Sequence, residues 1–236
     1  MFACRPDDVL RVLYARTVRP EVAELVRWAG SRSVPCAEAA PAELDRLAHS
    51  MREDGGHHEG LVLVTRPRRW ASLVDFADAL GRERGAAVAI DRVRNPYNVG
   101  AVLRSAAFFG FDGALFGAQA LTSPGASGLA PTAVRVAEGG VEHLTLARTT
   151  DLAHTLTRLR ERGVRVVGAD GRAPTPATGF KFGRPVVLVL GHEREGLGER
   201  VRAQCDEVVS ISGSGRVESL NVAVAAGVLM AMIVRA

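Results

Sequence analysis

The sequence predicts an α/β protein in which a small α/β domain precedes a larger parallel-sheet domain with helices on both faces. Two observations support this prediction. From residue 86 onward, short apolar strand patterns alternate with helical patterns, which is typical of a parallel sheet that is covered on both faces. Before that point the charge becomes dense and the apolar pattern resets, as it does at domain boundaries. We therefore expect a small domain at 1–68, a linker at 69–85 and the larger domain at 86–236.

The small domain is predicted from two strand patterns and two helical patterns. Apolar runs at 9–14 and 61–65 indicate strands, and helical patterns begin at residues 21 and 42. Pro20 and Pro41 precede or open these helices, where a missing N–H costs least. The linker contains an amphipathic segment, 71–80, that ends at Gly81.

The larger domain is predicted from a longer alternation of strands and helices. In order, these are a strand at 86–90, a helix at 98–110, a strand at 113–117, a loop rich in Gly, Ser and Pro, a strand at 143–146, a helix at 151–162, strands at 165–170 and 185–190, a short helix, a strand at 207–211 and a final helix. Gly110 and Gly163 follow helical patterns, as C-terminal capping glycines do. The final helix is apolar on every side and must be buried, either in the core or between subunits.

Composition excludes several classes of protein. The three cysteines, Cys4, Cys36 and Cys205, are far apart, so neither a disulfide framework nor a metal site is expected, and the setting should be reducing and cytoplasmic. No signal-peptide pattern opens the chain, and the longest apolar stretch, 222–234, is too short for a bilayer span. The net charge of +4 comes almost entirely from arginine, since Lys181 is the single lysine. Either a GC-rich genome or a polyanionic partner explains that bias.

Three short segments of the larger domain carry candidate functional residues. The first, 91–104 (D-R-V-R-N-P-Y-N-V-G-A-V-L-R), follows a buried strand and continues into a helix. Asn98 would cap this helix, Gly100 would permit close packing, and Arg104, about two turns along, could reach back toward the same cleft. An ordinary helix cap followed by an exposed arginine is the alternative.

The second segment is 188–197 (L-V-L-G-H-E-R-E-G-L), in which an apolar strand stops at Gly191 and polar residues follow at once. In open α/β sheets, ligands collect beyond the carboxyl ends of the strands, where free backbone N–H groups bind them. Glu193 is therefore a candidate functional group. A strand-end turn with a solvated glutamate is the alternative.

The third segment is 211–227 (I-S-G-S-G-R-V-E-S-L-N-V-A-V-A-A-G), a Gly-rich loop that leads through S-L-N into the apolar final helix. Ser219 and Asn221 are short polar residues next to an apolar wall, and such groups need hydrogen-bond partners. Simple capping of the final helix is the alternative.

Together these segments resemble, in order, the three signature motifs of the SpoU (TrmH-like) RNA 2'-O-ribose methyltransferases of the SPOUT superfamily. The resemblance covers about residues 86–236, and the third segment is its most specific part. It implies methyl transfer from S-adenosylmethionine to a ribose 2'-hydroxyl of rRNA or tRNA, a deep trefoil knot, and a homodimer with the site near the subunit interface. Carried over by position, the catalytic residues are Asn98, Arg104, Glu193, Ser219 and Asn221. The cofactor-binding residues are Leu190, Gly191, Ile211, Leu220 and Asn221.

The small domain resembles the RNA-binding domain that many family members carry ahead of the methyltransferase domain. The tetrapeptide 57–60 (H-H-E-G) is similar to the H-Q-G sequence that often closes that domain, with Glu59 in place of glutamine. Phosphate contacts with RNA are expected from arginines of the boundary and the first segment, namely Arg66, Arg68, Arg69, Arg92 and Arg94. Solvated surface charge is the alternative for all of them.

In that family the arginine at the position of Arg104 is thought to take the 2'-hydroxyl proton. Because a guanidinium is effectively always protonated in proteins, we instead expect Arg104 to bind the adjacent phosphate and to stabilise the developing alkoxide. The proton then leaves through the phosphate, Glu193 or water.

Two other functions fit part of the pattern. A nucleotide-dependent Rossmann enzyme would need a glycine where Glu218 stands, and it would be stabilised by NAD and not by S-adenosylmethionine. A protein that kept the fold and lost catalysis, acting in RNA binding or ribosome assembly, is the second alternative. A methyl-transfer assay that compares the wild type with Asn98→Ala tests it.

Overall fold

A computed structural model describes residues 4–50, 58–81, 85–118, 120 and 129–235. Contacts divide the chain into two units, Met1–Arg68 and Arg69–Ala236. His57 of the H-H-E-G sequence lies outside the described residues, as do 82–84 of the predicted linker and 121–128 of the predicted Gly-, Ser- and Pro-rich loop.

The smaller unit is a three-stranded sheet with a helix against each face. Its elements are β1 (Val9–Tyr14), α1 (Ala23–Ser31), β2 (Cys36–Glu38), α2 (Pro41–Ser50) and β3 (Leu61–Thr65). The central strand β1 is parallel to β2 and antiparallel to β3. Val12 packs with Leu25 of α1, whereas Leu13 packs with Leu44 of α2, because successive side chains of a strand point to opposite faces. The four predicted elements are present, and β2 is an additional short strand.

The larger unit is organised around a seven-stranded parallel sheet, as predicted. Its strands are β4 (Ala86–Ile90), β5 (Gly113–Gly117), β6 (Thr145–Thr149), β7 (Arg165–Ala169), β8 (Thr175–Pro176), β9 (Val186–Leu190) and β10 (Glu207–Ser210). They lie in the order β6-β5-β4-β9-β7-β10-β8, and each neighbouring pair is parallel. The two strands with long unbroken apolar runs, β4 and β9, are paired at the centre, where both faces of the sheet are covered.

Helices cover both faces of this sheet. They are α3 (Leu73–Leu80), α4 (Pro96–Phe108), α5 (Pro131–Val136), α6 (Leu152–Glu161), α7 (Glu199–Arg202) and α8 (Val222–Arg235). Val88 and Ile90 of β4 pack in the core formed with α4, α5 and α8, and the alternate residues Ala87 and Ala89 pack in the core formed with α3, α6 and α7. The prediction of a doubly covered parallel sheet is therefore confirmed.

The interval expected as a linker, 69–85, is not free of tertiary structure. Helix α3 buries Phe76 and Leu80 in the core of the larger unit, and Ala71 forms a β-bridge with Ala147 of β6. Its amphipathic pattern is that of a helix covering a sheet, so this part of the interval belongs with the larger unit.

Two sequence predictions in the larger unit are corrected. Helix α4 is capped by Asn95, whose Oδ1 accepts a hydrogen bond of 2.9 Å from the N–H of Tyr97, and not by Asn98. The strand expected at 143–146 begins at Thr145, because the preceding residues 140–143 form a 3-10 turn after Gly139, which has φ +83°. Two short elements, α5 and β8, were not predicted.

Among the described residues, no helix is long and apolar enough to cross a membrane. The same part of the chain holds no group of three or more His, Cys, Asp or Glu side chains that could bind a metal ion.

Candidate functional site

A cavity of 320 Å³ lies at the carboxyl ends of β7, β9 and β10, three neighbouring strands of the parallel sheet. Parallel strands all end at one edge, so the loops that follow them meet there. The cavity wall includes four of the five predicted cofactor-binding residues, Leu190, Gly191, Ile211 and Leu220. It also includes two of the predicted catalytic residues, Glu193 and Ser219.

The loop after β9, residues 191–198, supplies most of one wall of the cavity. It is a tight turn in which the N–H of His192 donates to the carbonyl of Gly196 at 3.0 Å and the N–H of Gly196 donates back at 2.9 Å. A Cβ atom on Gly191 would lie 2.4 Å from the carbonyl carbon and oxygen of Gly196, and Gly196 itself has φ +70°. Both positions therefore require glycine.

Three of the predicted catalytic residues form a hydrogen-bonded cluster, although they come from distant parts of the chain. Asn98 Nδ2 donates to Glu193 Oε1 at 2.8 Å, and Asn221 Nδ2 donates to Asn98 Oδ1 at 3.0 Å. Asn221 Oδ1 accepts from the N–H of Ala223 at 2.8 Å, which caps α8. Asn221 therefore caps α8 with its side-chain oxygen and joins the cluster through its NH₂ group.

The ends of this cluster fix the orientation of both amides. The N–H of Ala223 can only donate, so Asn221 must present its oxygen to it and its NH₂ to Asn98. Asn98 therefore presents its oxygen to Asn221 and its NH₂ to Oε1 of Glu193. The hydrogen bonds therefore run in one direction, from the α8 terminus to Glu193.

Arg104 does not join this cluster. Its Nη1 atom forms an ion pair of 2.7 Å with Glu138 Oε1, and the two side chains are 56% and 63% exposed. Glu138 lies in a turn that packs closely on α4. The turn comes so near that a Cβ atom added to Gly140 would lie 3.1 Å from Arg104 Cα. Glu138 has φ +44°, an uncommon conformation for a non-glycine residue. Sequence reasoning did not single out Glu138.

The arginines predicted to contact RNA differ in their surroundings. Arg66 and Arg68 belong to the smaller unit, where Arg66 is exposed and donates to the carbonyl of Asp7 and Arg68 is half-buried. Arg69 and Arg94, in the larger unit, are exposed. Arg92 is partly buried and its guanidinium contacts the 191–198 loop.

Sequence reasoning missed four charged residues of the cavity wall, Asp170, Arg172, Arg194 and Glu218. Asp170 follows β7 as Glu193 follows β9, so the same strand-end argument would have found it. Its carboxylate accepts from the N–H of Arg172 at 2.9 Å and forms an ion pair with Arg202. Glu218 belongs to the third segment, where its one sequence signal is the absence of the glycine that a Rossmann motif requires.

On the face of the sheet that α3, α6 and α7 cover, Cys205 packs close to Gly168 of β7. Burial raises the pKa of its thiol to about 12, with a smaller lowering by Arg202. The thiol is therefore protonated at neutral pH and is not a nucleophile.

Comparison with known proteins agrees with this geometry. Residues 85–231 match the model of the SpoU rRNA Methylase family. An uncharacterized tRNA/rRNA methyltransferase of Mycobacterium avium (strain 104) is 35% identical over 232 residues, which cover 98% of this chain and 72% of that protein.

Two solved structures add to the comparison. The SpoU methyltransferase AviRb from Streptomyces viridochromogenes, in complex with AdoMet, has a TM-score of 0.78 and 26% identity, covering 99% of this chain and 86% of that one. A second structure was solved for insight into the 2-OH methylation of C/U34 on tRNA. It has a TM-score of 0.56 and 28% identity, and the match covers 65% of this chain and 96% of that one. The AviRb complex supports the prediction of S-adenosylmethionine as the cofactor. The chain belongs to the SpoU methylase family, as its three sequence segments predicted.

Proposed function

We propose that this protein is a homodimeric RNA methyltransferase that transfers a methyl group from S-adenosylmethionine to a ribose 2'-hydroxyl of rRNA or tRNA in the cytoplasm. The observation that carries the proposal is the Asn98–Glu193–Asn221 cluster, which brings the three sequence segments together. Glu193 belongs both to this cluster and to the cavity wall, so the polar cluster adjoins the cavity.

The residues of the cavity fit S-adenosylmethionine. Its volume of 320 Å³ lies in the range of small-molecule sites. The apolar residues Leu190, Ile211 and Leu220 suit a purine ring, and the carboxylates of Asp170 and Glu218 suit hydroxyl and ammonium groups. When bound, the cofactor supplies a methyl group made electrophilic by a sulfonium.

We further propose that the loops around the cavity belong to a deep trefoil knot, because α8 returns from the far side of β7 to pack on α4 and β9.

The contribution of the cluster to the reaction is orientation. In methyl transfer from a sulfonium to a hydroxyl, the positive charge of the sulfonium is dispersed in the transition state, so a positioned and desolvated nucleophile favours the reaction. The cluster presents a fixed carboxylate and two fixed amides, and Glu193 can accept the proton that the hydroxyl releases. Ser219 lies in the cavity wall and supplies a further hydroxyl.

Arg104 is proposed to bind the phosphate next to the reacting ribose. Its present partner is the exposed carboxylate of Glu138, and an exposed ion pair of this kind is weak, about 0.2–1 kcal/mol. An RNA phosphate can therefore replace Glu138 at little cost. Bound in that way, the guanidinium stabilises negative charge that develops on the 2'-oxygen.

A second copy of the chain is proposed to cover an apolar surface on α4 and α8. These helices pack together but leave large apolar side chains exposed, namely Phe108 (82%), Tyr97 (56%) and Val224 (53%). Light scattering on the purified protein should give twice the chain mass, and Phe108→Asp should shift it toward the monomer. A wild-type protein that is monomeric at micromolar concentration would contradict the dimer.

RNA is proposed to contact the exposed Arg66 and the half-buried Arg68 of the smaller unit, and the exposed Arg69 and Arg94 of the larger unit. Phosphate contacts release counterions, so affinity for tRNA or rRNA fragments should fall steeply between 50 and 200 mM salt. Binding that does not depend on salt would remove these arginines from the proposal.

The decisive experiment is a methyl-transfer assay with labelled S-adenosylmethionine and bulk rRNA and tRNA from cells that lack the protein. A ribose 2'-O-methyl group blocks alkaline hydrolysis at that nucleotide, so the product is recovered as an alkali-resistant dinucleotide. We expect such a product with the wild type, and a much lower initial rate of its formation with Asn98→Ala. Cofactor binding without transfer to any RNA would favour the alternative of an inactive RNA-binding or ribosome-assembly protein.

A further inference from the structure

Arg92 has an unusual backbone for its residue type. It follows the central strand β4 with φ +60°, in the left-handed region that bulky residues rarely adopt. Such a conformation persists only where the surrounding structure holds it in place. The Arg92 side chain is 22% exposed, so most of its surface is packed against the protein.

Each nitrogen of the Arg92 guanidinium faces a different acceptor. Nη1 donates to Glu195 Oε2 at 2.6 Å, Nη2 donates to the carbonyl of Gly196 at 3.1 Å, and Nε lies 3.4 Å from Asp91 Oδ2. Asp91 is buried, and the same oxygen accepts from the N–H of Gly198 at 2.9 Å. Asp91 and Arg92 therefore hold three positions of the 191–198 loop, at 195, 196 and 198.

These contacts reach the loop from outside the cavity. Residues 191–194 and Gly196 line the cavity, whereas Asp91, Arg92 and Glu195 do not. The carbonyl of Gly196 accepts both from Arg92 and from His192, so one atom links the contact outside the cavity to the turn that forms its wall. Any shift of Arg92 is therefore transmitted to the turn that carries Gly191 and Glu193.

We propose that Arg92, together with Asp91 and Glu195, is a positioning residue that fixes the 191–198 loop for S-adenosylmethionine, and that it is not an RNA contact. The inference rests on the proposed placement of the cofactor in this cavity. The planar fork of arginine reaches three acceptors in separate directions, which a lysine ammonium cannot do with the same geometry. The buried carboxylate of Asp91 needs these donors as well.

The test uses calorimetric titration of S-adenosylhomocysteine into the full chain and its variants. Arg92→Gly is the informative change, because glycine accepts φ +60° without strain while it removes the three contacts. We expect its dissociation constant to rise about 10- to 100-fold, the loss expected for charge-assisted hydrogen bonds. Arg92→Lys should recover part of the affinity, and Glu195→Ala should weaken binding in the same direction.

The matched control is Arg158→Ala. Arg158 forms an Arg–Glu ion pair of 2.8 Å with Glu161 on α6, away from the loop, and its loss should leave the affinity within about twofold. In kinetics, the KM for S-adenosylmethionine should rise in Arg92→Gly while the KM for RNA stays unchanged. A merely structural role would lower the melting temperature without this separation.

If the wild type binds the cofactor product and Arg92→Gly and Glu195→Ala bind it equally well, the positioning role is overturned. Arg94→Ala should reduce the slope of RNA affinity against salt concentration by about one phosphate contact. If Arg92→Gly reduces that slope by the same amount, Arg92 is an RNA contact. If the wild type itself does not bind S-adenosylhomocysteine, the proposed cofactor placement fails, and the inference fails with it.

Discussion

The cavity wall and the polar cluster beside it lie in the same unit but are built from different groups. The wall is formed by strand ends and by the backbone of a turn that requires glycine at two positions, Gly191 and Gly196. The cluster is formed by the side chains of Asn221, Asn98 and Glu193, and Asn98 is joined by one hydrogen bond to each of the other two. Backbone atoms and buried strands form the first region, and side-chain hydrogen bonds form the second.

The two regions suit the two proposed substrates in different ways. A wall of packed backbone is rigid before any ligand arrives, which suits a cofactor that every turnover uses in the same pose. Exposed polar groups such as Arg104, which forms an ion pair with the exposed Glu138, can exchange an internal contact for a phosphate or a hydroxyl. Variants of each region should therefore act on different kinetic constants.

The largest effect is expected from Gly191→Ala in the cavity wall. The added Cβ would lie 2.4 Å from backbone atoms of Gly196, which cannot rotate away, so the 191–198 loop must move. We expect affinity for S-adenosylhomocysteine to fall at least about 100-fold, roughly 3 kcal/mol, by calorimetry. Gly213→Ala is the control, since a Cβ there has nothing within 4 Å. Equal affinity in the two variants would contradict a rigid wall.

The second-largest effect is expected from Asn98→Ala in the polar cluster, and it should fall on kcat and not on cofactor affinity. Asn98→Ala removes the link between Glu193 and Asn221, and we expect kcat to fall up to about 100-fold through lost orientation, with cofactor affinity within about twofold. Its neighbour Asn95 caps α4, so Asn95→Ala should cost about 1 kcal/mol of stability with little change in kcat. If the two variants behave alike, Asn98 is only a structural residue.

A smaller effect is expected from Arg104→Lys. The lysine keeps the positive charge but not the paired donors, so kcat for RNA methylation should fall about 10-fold, with the pH optimum unchanged. The measurement is a pH–rate profile of the wild type and the variant. Full activity with a shifted pH optimum would show that the residue at 104 takes the proton, and the electrostatic role would be wrong.

The smallest effect is expected from Glu138→Gln. Removing this carboxylate frees Arg104 from a competing partner, so the KM for RNA should fall about two- to fivefold, in line with the strength of an exposed ion pair. The kcat value should not change. A loss of kcat greater than 10-fold would instead assign Glu138 a direct part in proton transfer.

Sequence reasoning succeeded best where one local signal determines the outcome. The apolar runs of β4 and β9 predict buried parallel strands, and the abrupt change at Gly191 predicts a strand-end site. It failed where two local signals compete. Asn95 and Asn98 both stand near a helix start, and Pro96 at the first helical position makes Asn95 the cap, which leaves the Asn98 side chain for the site.

The fold class, the family and six of the residues that line the cavity can be predicted from the chain alone, because periodicity, glycine requirements and strand ends are local properties. The partners of those residues are visible in the folded protein alone. Glu193 and Asn221 lie 95 and 123 positions from Asn98, and no local pattern encodes which pairs meet. The same is true of arginines, since Arg92 and Arg104 look alike in the sequence and only packing turns one inward and the other outward.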